Sequence, residues 1–405
     1  MSGYVLPEGW RWARLGDACQ TKVETRDPRQ TPDMPFNYVD IASVNNQAKM
    51  IKSWRELLGR DAPSRARKVI RFGDVIVATT RPYLNAVAYV PADLDGEICS
   101  TGFCVLRAMA EATPRFLFAF VQTQSFIEQV SGRMRGASYP AVSDRDVFAV
   151  LLPLPPLDEQ RRIVARLEAL LAEVERAEAE IEAEAEKTER LMTYAVSAEL
   201  NKLKSEGCLQ RPLGDVLVRV QYGTSQRADE DSGGVPVLRM GNVQDGCLDL
   251  TDLKYVRLLD AELEKFRLEP GDILINRTNS PELVGKSAVF LEDGTFVFAS
   301  YLIRLRADPK WAEPRYLNYF INSTEGRAYV DRTRRHIIGQ ANINAKEIRA
   351  MPVLVPSVER QRRIADHLGQ VHAHVRAVRL EQAAMLEKLS RLRASLLDAA
   401  FRGKS

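Results

Sequence analysis

Two stretches of this chain begin alike and continue alike, and this constrains its fold more than any other feature. The first reads Pro155-Pro156-Leu157-Asp158-Glu159-Gln160-Arg161-Arg162-Ile163 and the second Pro356-Ser357-Val358-Glu359-Arg360-Gln361-Arg362-Arg363-Ile364. Behind the first come Ile163, Leu167, Leu170, Val174, Ala177 and Ile181, at spacings of four and three. That is the seam of a coiled-coil helix. Behind the second come Ile364, Leu368, Val371, Val375, Val378, Met385, Leu389, Leu392, Leu396 and Ala399, with Gln382 as a polar step. Proline ends the preceding strand, and acidic residues stand in the first turn, where the helix dipole favours them. Each ladder covers about 45 residues, roughly 65–70 Å of helix. The expectation is an antiparallel coiled coil within one chain. Residues 156–205 carry a net charge of −4 and residues 356–405 a net charge of +5. Glu178, Glu180, Glu182, Glu184 and Glu186 are therefore candidates to face Arg376, Arg379, Arg391 and Arg393. Two solvated faces are the plainer reading of such charge runs; the matching heptads favour pairing.

The segments before each ladder also repeat. Arg14-Leu15-Gly16-Asp17 matches Pro212-Leu213-Gly214-Asp215, and Gly73-Asp74-Val75-Ile76 matches Gly271-Asp272-Ile273-Leu274, both at an offset of 198. Leu106-Arg107-Ala108 matches Leu305-Arg306-Ala307 at 199, and the helix starts match at 201. Such drift means one fold with small loop changes. Short apolar runs at Phe36–Val39, Val75–Ala78 and Phe103–Leu106 predict strands, and Pro114 to Val130 has helical periodicity. The expected class is α+β: domains at 1–155 and 206–355, joined by helices at 156–205 and 356–405. The scaffold is shared and the loops diverge, as they would in a reader with two different heads.

The chain of 405 residues has no run of 18 apolar residues, and Met1-Ser2-Gly3-Tyr4 does not resemble a signal peptide. Cys19, Cys99, Cys104, Cys208 and Cys247 are odd in number and form no CxxC pair, so they read as reduced thiols of a cytoplasmic protein. Gly285-Lys286-Ser287 ends like a phosphate loop, but the upstream position holds Ser280 and a β-like run follows. Glu262-Leu263-Glu264-Lys265 holds an E-x-K triplet of a kind common in helices. His372 and His374 do not share a helix face, which argues against a metal site and suggests solvent-exposed positions.

Nucleic-acid contact is better supported. Arg334, Arg335, Gln340 and Asn342 cluster in one span, with Arg332, His336 and Asn344 beside them. Arg133, Arg135, Ser138 and Tyr139 occupy the equivalent span of the first half. Arginine and amide side chains make bidentate contacts with guanine and adenine edges. After the paired Gly-Asp strands come Arg81-Pro82-Tyr83 in one half and Arg277-Thr278-Asn279 in the other. Tyr222, Thr224, Arg239 and Asn242 lie on further polar loops. Ordinary turn chemistry is the alternative for any one of them.

The chain resembles the specificity subunit of type I restriction–modification systems over nearly its whole length. The resemblance rests on Leu6-Pro7-Glu8-Gly9-Trp10 with Leu15-Gly16-Asp17, and on Gly271-Asp272-Ile273-Leu274-Ile275-Asn276-Arg277-Thr278-Asn279-Ser280 with Leu283-Val284-Gly285-Lys286. It also rests on the two helix starts and on Ser395-Leu396-Leu397-Asp398-Ala399-Ala400-Phe401-Arg402-Gly403. It implies two target-recognition domains, each reading half of a split site in double-stranded DNA, and helices that dock two modification (methyltransferase) subunits, to which restriction subunits can be added. No cofactor is expected in this chain; S-adenosylmethionine, ATP and Mg2+ are expected on the partner subunits. A helical scaffold joining protein partners without DNA is the alternative of a different class, and salt-dependent DNA binding separates the two.

Overall fold

The computed structural model describes residues 5–136, 140–230, 232–337 and 340–403. It divides into two units, one of residues 1–181 with 384–405, the other of residues 182–383. Each unit holds one mixed domain and one segment of each long helix, Leu157–Ser205 and Val358–Ala400. Asp158 and Glu159 occupy the first turn of the first helix and Lys202 and Lys204 its last. Gly207, at φ +76°, takes the left-handed conformation that stops it.

Within the first unit, the start of the first helix meets the end of the second. Ile163, Val164 and Leu167 share a core with Leu397, Ala400 and Phe401. The Phe401 ring lies 4.9 Å from that of Phe116 and 5.4 Å from that of Phe120. Within the second unit the order is reversed: Val196, Leu200 and Leu203 pack with Ile364, Ala365 and Leu368. In both units the helices are therefore antiparallel.

The seam differs from its expected course after Gln382. Met385 and Leu392 are exposed, at 47% and 46%. The partly buried positions are Leu386, Leu389, Arg393 and Leu396. The reason is Arg393, which stands in the seam and binds Glu175 at 3.1 Å and Glu178 at 3.5 Å. A ladder of apolar residues alone steps past it. Arg379 meets Glu189 at 3.3 Å, whereas Glu184 pairs with Lys187 and Arg391 with Glu387 on their own helices. The opposite charges thus pair at a few points rather than along the whole run.

Each long helix is tied to its domain, at its first turn, by the same kind of glutamine. Gln160 is fully buried; it accepts the Thr113 N–H at 2.8 Å and donates to the carbonyls of Glu111 and Pro155. Gln361, equally buried, accepts the Glu313 N–H at 2.9 Å and donates to Trp311 and Pro356. The amide saturates three backbone groups that would otherwise be buried without partners. This explains why glutamine stands at the start of both helices.

The domains repeat in topology as well. One antiparallel sheet runs Cys19–Gln20, Phe103–Ala108, Val75–Ala78, Val87–Tyr89, and its counterpart Leu217–Tyr222, Leu302–Ala307, Asp272–Asn276, Ser287–Val289. A second sheet in each domain contains a parallel pair, Tyr38 with Ile98 and Val237 with Val297. The periodic segment from Pro114 is two helices, Pro114–Phe120 and Gln124–Ser131. Thr123 breaks it by accepting the Phe126 N–H as an N-cap, and Ser323 does the same for Gly326.

The two repeated Gly-Asp and Leu-Arg-Ala motifs are halves of one ion pair. Gly73 and Gly271 take φ values of +90° and +95°, which only glycine adopts at little cost. The aspartate that follows is buried, and its carboxylate accepts a backbone N–H three residues back, from Arg71 and Glu269 respectively. Arg107 then grips Asp74 at 2.9 and 2.7 Å, and Arg306 grips Asp272 at 2.7 and 2.9 Å. These bonds push both guanidinium pKa values upward.

Candidate nucleic-acid interface

In the second unit, three short strands, Thr278–Asn279, Gln340–Asn342 and Arg335–Ile337, form one antiparallel patch. Thr278 pairs with Asn342, and Asn342 donates from its amide to the Thr278 hydroxyl at 2.7 Å. Asn342 also pairs with Arg335, whose side chain is 74% exposed and rests 3.3 Å from Glu347. Glu347 belongs to a capping box with Asn344 at the start of the helix Ala345–Arg349. Arg277 joins the patch from the end of strand Asp272–Asn276. Its guanidinium lies over the Tyr222 ring, 4.7 Å from the centroid, and the Tyr222 hydroxyl accepts the Ala345 N–H at 3.0 Å. Asn279 is half-buried and caps its neighbour, accepting the Ser280 N–H at 2.8 Å.

The first unit contains the same frame. Thr80 and Arg135 each bridge to Ala141, as Thr278 and Arg335 pair with Asn342. Arg135, 81% exposed, lies 3.6 Å from Asp146, the capping-box acid of the helix Asp144–Phe148. Hydrogen bonds from Ser143 hold the Asp146 carboxyl below the usual range, and the charges of Arg135 and Arg133 add to this. Arg133 donates to the Asp146 carbonyl. Arg81 and Tyr83 are exposed at a turn whose backbone is left-handed at Arg81 (φ +49°) and Asn85 (φ +48°). That conformation costs non-glycine residues roughly 1 kcal/mol or more, and such strain clusters at functional surfaces. Asn85 holds the turn in place: it is buried, donates to the Val121 carbonyl, and receives the Lys49 ammonium at 2.7 Å. Burial, aided by the charge of Arg393, pushes the Lys49 amine down to about 8. The sequence places Asn85 with the polar loop Arg81-Pro82-Tyr83-Leu84-Asn85, where an inward-facing Asn looks like an outward one, and gives no signal for Lys49, which lies 36 residues earlier.

Other predicted residues are placed inside their loops. Thr224 is buried, its hydroxyl accepting the Gln226 N–H. Asn242 is buried and bonded to the Arg239 N–H and to the carbonyls of Asp249 and Asp252. Arg239 pairs with Asp252 at 2.9 Å. Arg334 turns inward to the Pro281 carbonyl and pairs with Asp331. Ser138 and Tyr139 lie outside the described residues, as does the side chain of Gln340. His372 departs from its expected exposure. It is half-buried, with Nε2 3.6 Å from Cys247 Sγ, and burial beside Arg376 lowers its pKa. The hairpin Val243–Leu248 covers it, a contact no local pattern reveals. Ser287, in the phosphate-loop look-alike, begins a strand and donates to Asn318 at 2.8 Å. Gly285 has φ +79°, and a Cβ there would meet the Val330 side chain at 2.6 Å, so packing accounts for this glycine. Among the described residues no group of three or more His, Cys, Asp or Glu is placed to hold a metal ion, and no helix is long and apolar enough to cross a membrane.

The duplication seen in the structure is also found by comparison with known proteins. Residues 7–187 and 209–387 each match the family described as type I restriction modification DNA specificity domain. The chain belongs to this family. It is similar to the EcoKI specificity subunit of Escherichia coli K12, 28% identical over all of this chain and 91% of the relative. The StySPI specificity subunit of Salmonella potsdam is 27% identical over 98% of this chain and 90% of its own. Among solved structures, a chain from a study of complex assembly and conformational transition in the type I R-M system is 36% identical, with a TM-score of 0.82. That match covers 99% of this chain and 100% of the other. The HsdS subunit of Thermoanaerobacter tengcongensis is 35% identical, with a TM-score of 0.58 over 100% and 99% of the two chains. A type I specificity subunit is the DNA-recognition component of its system, and the family is in general not catalytic.

Proposed function

We propose that each mixed domain of this specificity subunit reads one half of an asymmetric, bipartite site in double-stranded DNA through its three-strand patch. Arg277, Thr278, Asn279, Arg335 and Asn342 form the contact surface of the second domain, and Arg81, Tyr83, Arg133 and Arg135 that of the first. Tyr222, Thr224, Arg239, Asn242 and Arg334 support these loops from behind. The long helices dock two modification subunits, to which restriction subunits add. S-adenosylmethionine, ATP and Mg2+ act on those partners, and the assembled complex methylates adenine and cuts DNA in the cytoplasm.

The observation that carries the reading is the duplicated arginine. Arg135 and Arg335 occupy the same register in the two frames, and each is held against one acid while its charge faces solvent. An exposed ion pair of this kind contributes little to stability. A phosphate replaces the acid at little cost, and the acid meanwhile fixes the direction of the side chain. Arg135→Ala and Arg335→Ala are each expected to weaken binding of the assembled complex equally for every variant of its site. The slope of log K against log salt is expected to fall by about 0.9 for each. Titrations across a range of salt concentrations check this. Unchanged slopes and affinities in both variants would remove the patch from the interface.

A further inference from the structure

Arg277 differs from the other arginines at the recognition loops of the second domain. Arg335, Arg334 and Arg239 each face a carboxylate within 3.3 Å. Among the described residues Arg277 has no ion-pair partner and its guanidinium makes no hydrogen bond. Its orientation is nevertheless fixed. The main chain is held on both sides, its N–H donating to Tyr301 at 3.0 Å and its carbonyl accepting the Ile343 N–H at 2.9 Å. The guanidinium lies over Tyr222, and that ring is itself tied at both ends, by strand pairing with Ile303 and by the hydroxyl bond to Ala345. Nε is buried, which leaves the two terminal nitrogens as the donor edge.

We propose that Arg277 reads a guanine in the half-site of the second domain, and that Tyr222 is the residue that positions it. The inference rests on the DNA-recognition reading above and goes further by naming the base. Two acceptors side by side, guanine O6 and N7, match a planar pair of N–H donors. Stacking on an aromatic face keeps that fork rigid, so little side-chain freedom is lost on binding.

The internal repeat separates this role from phosphate binding. Phosphates are alike along any duplex, so a phosphate contact has reason to recur in both copies, as Arg135 and Arg335 do. Arg277 has no counterpart. The position 198 residues earlier is Thr79, buried and bonded through its hydroxyl to the Gly102 carbonyl at 2.9 Å. The position 198 residues before Tyr222 is Glu24, paired with Arg71 at 2.9 Å. The stacked pair therefore belongs to one half-site alone, as a base contact should.

The test uses the full chain assembled with its modification subunits, on duplexes carrying the site that methylome sequencing reveals. Exchange of residues 210–355 assigns one half-site to the second domain. The wild-type complex is expected to prefer one G·C pair there by about 5- to 150-fold. Arg277→Ala and Arg277→Gln lose that preference and keep the others. The glutamine variant keeps a polar side chain at the site and keeps the test sound should the alanine variant fold poorly. Placing 7-deazaguanine, which lacks the N7 acceptor, at that base weakens the wild-type complex and leaves Arg277→Ala unaffected. Tyr222→Ala loses the same preference and Tyr222→Phe, which keeps the ring, retains it. A half-site without a G·C pair, an Arg277→Gln complex that discriminates as wild type does, or an Arg277→Ala complex weakened on all duplexes alike would each overturn the assignment. Tyr222→Ala with the preference intact would overturn the positioning role. Failure of the underlying reading looks different: the wild-type complex would then bind no site better than unrelated duplex.

Discussion

Asp272→Asn is expected to destabilise the second unit by about 3–5 kcal/mol, the range for breaking a buried ion pair from one side. The carboxylate is 1% exposed and serves two cations. Arg306 binds it through two nitrogens, and Arg304 lies 3.5 Å away with its side chain fully buried. Arg304 also donates to the carbonyls of Arg267, at 2.6 Å, and Lys265, at 3.2 Å, and to Gln221, but Asp272 is its carboxylate partner. Burial already lowers the Arg304 pKa. An amide at residue 272 leaves that charge in the core with no countercharge, and arginine does not escape by losing its proton. The first copy serves as a control, because Val105 occupies the position of Arg304 there. Asp74→Asn exposes only Arg107, which is 20% exposed and able to turn partly to water, so its cost is smaller. Adding Arg304→Val to Asp272→Asn removes the stranded charge and is expected to restore part of the loss. Urea unfolding of the four variants measures these differences. Wild-type stability in Asp272→Asn would show that the pair does not hold the unit together.

Features with a period were legible in the sequence. The helix ladders, the 198- to 201-residue repeat and the strands at residues 36–39, 75–78 and 103–106 depend on local spacing, and the structure has them. What depends on a distant partner was not legible. Arg334 and Arg335 are neighbours of one type, yet one turns in to Pro281 and the other out to solvent, because the first caps the end of the helix Thr324–Thr333 and the second opens the strand Arg335–Ile337. Asn242 and Asn342 look alike in sequence, but the first is enclosed by carbonyls of the loop at residues 249–252. The Gly-Asp and Leu-Arg-Ala motifs were recognised as repeats, but not as each other's partners. The Arg277–Tyr222 stack joins residues 55 positions apart and rests on strand pairing that neither residue announces. Thr123 hides a helix break inside a continuous apolar rhythm, because one hydroxyl outweighs the pattern around it.

If one chain carries two readers, each specifying its own half of the target, then exchanging one domain changes one half-site alone. The fold suits such an exchange. Residues 210–212 pair with residues 352–354, so the segment 210–355 leaves and rejoins its unit at one place. Its core does touch the helices through Leu200, Leu203, Ile364 and Leu368. The donor should therefore be a relative that keeps Tyr316, Leu317 and Ile321, which share that core. The decisive measurement is the methylome of a host carrying the chimera, compared with that of the parent chain. A split, asymmetric motif is expected in both, with one half-site replaced by the donor's and the other unchanged. A chimera that altered both halves at once, or a parent motif that proved to be one continuous palindrome, would contradict the two-reader assignment.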